Sequence, residues 1–127
     1  MLKKVAMLLC VFGAAAVLTG CSSLQTASVA DFNKQDVVSS GTAVEHIAVA
    51  THGLYLFSIP LITGSTDNFG VPTLVTDTVS PQALTAAVTK QAKSAGARTT
   101  ADLVTDVTSA GFIFYYRSGT ASGTAVK

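Results

Sequence analysis

The side chains in this sequence that could do chemistry are few: a thiol at Cys21 behind Leu18-Thr19-Gly20, a thiol at Cys10, the histidines His46 and His52, and scattered serines and carboxylates. Imidazoles suit a metal site, in which His, Cys or carboxylate groups close around one ion. His46 and His52 are six residues apart, so in a straight strand they share a face but stand ~20 Å from each other at ~3.3 Å per residue. One ion could reach both only if the chain bends at Gly53 or two subunits combine, with Glu45 and Asp67 as conceivable neighbours. They are the weak metal candidates of the chain, and no cofactor is expected. Ser, His and Asp are all present, yet no Gly-x-Ser-x-Gly turn exposes a nucleophile, and Ser58 sits in an apolar run. Asp102 and Asp106 share a face of a strand as they would of a helix, where a solvated surface is their ordinary role. The glycines near the C-terminus do not follow a strand and open a helix, so they do not form a phosphate cradle. The expectation is a protein that is not an enzyme.

The position of Cys21 gives the sharper chemistry. Lys3 and Lys4 precede an almost unbroken apolar run from Val5 to Leu18, which is shorter than the ~20 residues a membrane-spanning helix needs. A charged start, an apolar middle and small residues before a cut describe a secretory leader. Leu18-Thr19-Gly20-Cys21 resembles the lipobox of bacterial lipoproteins. The resemblance implies cleavage between Gly20 and Cys21, a diacylglyceryl group such as one carrying palmitate on the Cys21 thiol, and acylation of the new amino terminus. Several acyl chains on one residue hold a protein on a membrane where a single chain binds only reversibly. In such lipoproteins an aspartate after the cysteine favours the inner membrane; Ser22 is not that residue, so the expected location is the periplasmic face of the outer membrane, with the inner membrane as the lesser alternative.

Removal of residues 1–20 leaves one small domain. Lys3 and Lys4 leave with the leader, and the remaining basic residues, Lys34, Lys90, Lys93, Arg98, Arg117 and Lys127, are scattered. No basic field exists for nucleic acid, and no nucleic-acid partner is expected. With Cys10 in the leader and Cys21 given to lipid, no thiol is left for a disulfide.

These residues must be positioned by few elements. Ser22 to Ser40 has neither helical nor strand period and reads as a flexible tether. Alternation from Val44 to Thr51 predicts a strand, interrupted at Gly53, and Leu54 to Ile59 a second, ending near Pro60. Gly64 to Gly70 is a loop, and residues 73–78 carry a weak strand signal. Ser80 caps, Pro81 opens and Gly96 stops a helix whose stripe is Leu84, Ala87, Val88, Gln91, Ala92 and Ala95. Residues 102–108 predict a strand, Ser109-Ala110-Gly111 a hairpin loop, and Phe112 to Arg117 the strongest strand. In the extended tail Ala121, Gly123 and Ala125 share one face, small enough for Ala87, Ala92 and Ala95 of the helix to approach. The expected fold is α+β: a small antiparallel or mixed sheet with one main helix at about residues 81–95 on one face, in a domain spanning 42–127 after a cleaved signal (1–20) and a lipidated N-terminus with tether (21–41).

The segment around Ala92 and Gly96-Ala97, with the final Ala121-Ser122-Gly123-Thr124-Ala125-Val126, resembles the small bacterial heavy-metal-binding, YbjQ-like domains. Over residues 80–126 that resemblance implies a compact α+β domain that self-associates into a ring, and a metal label that no ligand cluster of this chain carries. The aromatic side chains exceed what one face of one small sheet must bury, and Tyr55, Phe57, Phe112, Phe114, Tyr115 and Tyr116 are the candidate interface. The expected function is that of an outer-membrane lipoprotein presenting a domain for self-assembly or for an envelope protein partner. The alternative is a periplasmic module that binds a metal or small ligand.

Overall fold

The computed structural model describes residues 21–32, 35, 38 and 40–127. The expected leader, with Gly20 of its cleavage site, lies outside the described residues, as do 33, 34, 36, 37 and 39 of the expected tether. The strands are β1 (Ser22–Ser28), β2 (Ala43–Leu56), β3 (Ile59–Gly64), β4 (Pro72–Leu74), β5 (Thr99–Gly111) and β6 (Phe114–Val126); helix α1 (Pro81–Ser94) lies between β4 and β5. They form one six-stranded sheet in the order β4-β3-β2-β6-β5, with β1 also on β2. Every pairing is antiparallel. A mostly antiparallel sheet with a single packed helix agrees with the expected class, and the helix is its minor part.

β2 organises the sheet. One of its edges pairs with β6 from Ala43 to Leu56. The other is shared end to end by β1, opposite Glu45 to Thr51, and β3, opposite Gly53 to Leu56. The first third of the expected tether is therefore a strand. Its sequence hides this, because Ser22–Ser28 offers the hydrophobic core one apolar side chain, the partly buried Leu24, while its backbone pairs with that of the buried β2. β1 ends where Asp31 accepts hydrogen bonds from the Ser28 hydroxyl and amide, each at 2.8 Å, which also hold its carboxyl below its ordinary range.

Gly53 does not interrupt β2 either. A Cβ there would stand 2.7 Å from Thr63 Cγ2 and 3.0 Å from the Tyr55 ring, so the glycine makes room for a neighbour within an unbroken strand. The break comes at Phe57-Ser58, a two-residue turn with Phe57 at φ 54°, because Leu56 pairs with Ile59. The second hairpin turn falls at Phe112-Ile113 rather than Ser109-Ala110-Gly111: β5 runs on to Gly111, at φ 129°, where a Cβ would collide with the Phe114 carbonyl. β6 then continues unbroken through the repeated Ser-Gly-Thr-Ala tail.

α1 begins and ends where local rules place it. Ser80 Oγ accepts from the Ala83 amide at 3.4 Å, and Pro81 needs no partner for a missing N–H. At the C-terminus the Gly96 amide donates to the Lys93 carbonyl and Ala97 to Ala92, with Gly96 at φ 80°, the left-handed stop of a Schellman motif. The helix packs on β6, β5 and β2. Leu84, Ala87, Val88 and Ala92 join Ile47, Val49, Ala121 and Ala125 in one core; Ala95 lies outside that cluster.

Candidate functional site

With α1 covering one face, the odd-numbered residues of β2 and β6 face the core and the even-numbered residues form an open face, except at the end of β6, where Thr124 and Val126 are buried. Ser22, opposite Thr51, points to the core side: its hydroxyl donates to the Ser65 carbonyl at 2.6 Å and accepts from the Gly70 amide at 3.2 Å. The preceding residue, Cys21, is exposed and falls on the open face by strand alternation. Its carbonyl accepts the His52 amide at 2.9 Å and lies directly against Gly64, where no Cβ would fit. The proposed lipidation residue is thus part of the sheet's edge, at the level of His52 and Ser118.

The metal candidates stay apart. His46 and His52 occupy one unbroken strand, so the bend at Gly53 that would have brought them together is absent from β2. The His46 Nδ1 is within 3.1 Å of Thr124 Oγ1. The His52 ring stacks on Tyr116, centroids 5.9 Å apart and planes 11° from parallel, with its Nδ1 buried and unpartnered. Among the described residues no group of three or more His, Cys, Asp or Glu side chains gathers as a metal would require.

The candidate interface divides into three places. Tyr55 is fully buried on the core side, its hydroxyl donating to Asp77 Oδ1 at 2.6 Å and its ring lying 4.7 Å beneath the Arg117 guanidinium. Desolvation first, then the hydrogen bond and charge of Asp77, push its phenol well above the ordinary value, against a smaller opposing pull from Arg117. Tyr115 is half-buried on the same side. Tyr55 therefore offers no surface to a partner, because even in an apolar run the alternate side chains turn toward the core, and Tyr115 offers only its exposed part. Tyr116 lies on the open face.

Phe57, Phe112 and Phe114 gather at the end of the sheet. The two hairpin turns sit side by side because Leu56 pairs with Phe114, and the Phe57 amide donates to the Ile113 carbonyl at 2.8 Å. Phe112 is 85% exposed, Phe57 61% and Phe114 60%, with Ile59 and Ile113 also exposed beside them. Sequence reasoning missed Ile59 and Ile113 at this end, and Leu74, which lies beside Ile62 in β4. The available signal was Gly111, which marks the turn two residues later than the expected loop and so moves Phe112 and Ile113 out of the strand.

The remaining feature of the open face is a shallow depression of about 250 Å³ across β1, β2, β6 and β5, floored by Ala48, Ala50 and Thr120 and rimmed by Gln25 and Asp106. No protein-family model, curated protein or solved structure matches the chain.

Proposed function

We propose that this chain is an outer-membrane lipoprotein, anchored through acyl groups on Cys21, that presents its sheet to the periplasm and works by contact with a second copy or another envelope protein. The observation that carries the reading is the join between anchor and fold: β1 begins at Ser22, so a lipid on Cys21 would hold the sheet at the membrane without a free linker. The contact surface in this reading is the open face that α1 leaves bare, around Thr120 and Ser122 of β6 and Val104 of β5. The depression there favours the second reading, a small-ligand module, but about 250 Å³ is below the ~300–1,000 Å³ of ordinary ligand pockets, whereas a flat β-face suits a protein surface.

The test combines palmitate labelling, membrane fractionation and a photo-crosslinker at Thr120 or, on the exposed side of α1, at Lys93. The full chain should carry label, sediment with outer membranes and give a defined adduct from Thr120 but not from Lys93. Cys21→Ser should lose the label. A label that persists in the variant removes the anchor; equal adducts from both positions, or none, remove the contact face.

A further inference from the structure

The open face changes character at the level of Cys21. Toward the hairpin turns it carries Leu54, Leu56, Ile62, Leu74, Phe114 and Tyr116, without a charged side chain among them. Away from the turns the same face carries Ser23, Gln25, Asp106, Thr120 and Ser122 around the small Ala48 and Ala50 and the exposed Val104. The boundary is the row formed by Cys21, His52, Ser118 and Thr108. From this row to Leu56 is four residues, ~13 Å of strand, with the exposed Phe57, Phe112 and Ile113 just beyond.

We infer that the hairpin end of the sheet inserts into the lipid bilayer, with Cys21 at the water line. The inference rests on the anchor reading for its orientation. Acyl chains attached at Cys21 start on the face, and at the level, where the apolar surface starts, so lipid and side chains enter the membrane together. An interfacial apolar surface sinks ~5–10 Å into the headgroup and acyl boundary, which a modestly tilted ~13 Å extension reaches. Phenylalanines such as Phe57, Phe112 and Phe114 are among the side chains that an interfacial surface buries in lipid. A protein partner is the weaker occupant of this end, because its large apolar side chains begin at the row of the anchoring residue, whereas the apolar residues beyond it, Ala48, Ala50 and Val104, are set among Gln25, Asp106, Thr120 and Ser122.

The natural sequence has no tryptophan, so Phe112→Trp and Thr120→Trp each supply a single reporter in the full chain. Each variant, purified from membranes, is reconstituted in vesicles of phosphatidylethanolamine and phosphatidylglycerol whose acyl chains are brominated. Trp at position 112 should emit at shorter wavelength and lose intensity to the brominated lipid; Trp at 120 should do neither. Loss of quenching at 112, or equal quenching at both positions, overturns the insertion. So does a shielded reporter at 112 that ignores bromine, which would assign the end to a protein surface. The intact mass of the same preparation reports acylation separately: quenching without acyl mass leaves the insertion standing and removes the anchor, and acyl mass without quenching does the reverse.

Discussion

The Tyr55 hydroxyl donates to Asp77 from a ring with no solvent exposure, and burial first, then this contact, make stability depend on alkaline pH. An ordinary tyrosine ionises at 10.0, and this one is held above it. Below that value the phenol is neutral in the folded and unfolded chain alike. Above it the unfolded chain loses the proton while the folded chain keeps it, so stability falls as pH rises. Tyr55→Phe should cost roughly 1 kcal/mol near neutrality, the net worth of one hydrogen bond. Urea titrations at about pH 8 and about pH 11 should show a smaller alkaline loss in the variant than in the parent; parallel losses would discard the assignment. At this scale the sequence was legible in residue type and illegible in direction. Leu54, Tyr55 and Leu56 read as equally apolar, and only the alternation of β2, with Thr51, Gly53 and Tyr55 on its buried side, decides that Tyr55 turns inward.

Helix α1 and strand β6 meet through small side chains, and their closeness is the clearest packing constraint in the molecule. A Cβ at Gly123 would stand 2.8 Å from Thr100 Cγ2 and 3.3 Å from both Leu103 Cδ1 and Val88 Cγ1. Gly123→Leu forces a whole side chain into that gap, an overpacking that costs about 1–3 kcal/mol. Thermal unfolding should fall by several degrees, at ~4–8 °C per kcal/mol for a domain of this size, and an unchanged midpoint would refute the packing. The helix was readable because its start, stop and stripe are written in adjacent residues: Ser80, Pro81 and Gly96 act through bonds within one turn. β1 was not readable, since its reason to be extended is the vacant edge of β2, distant in sequence and invisible to local periodicity.

Across the whole molecule, β2 and β6 are held along both edges over most of their length and the shorter β3 over part of its own, whereas β4 is three residues long and pairs only with β3. Amide exchange in the native state should therefore be slowest in β2 and β6 and fast in β4, and protection of Thr73 equal to that of Ala121 would contradict the sheet order. That order was the least legible level, because strand neighbours depend on long-range pairing rather than on runs of residues. It also sets a schedule. The inner strand β6 follows every other strand in sequence, and Ala43 finds its partner only in Val126. Until residues 114–126 have been synthesised, β5 has no neighbour and one whole edge of β2 stays bare. A partly made chain consequently lacks the middle of its own sheet, and the domain closes late, by a pairing of high contact order that is slow to find. This topology delays closure of the sheet until residues 114–126 are free to pair.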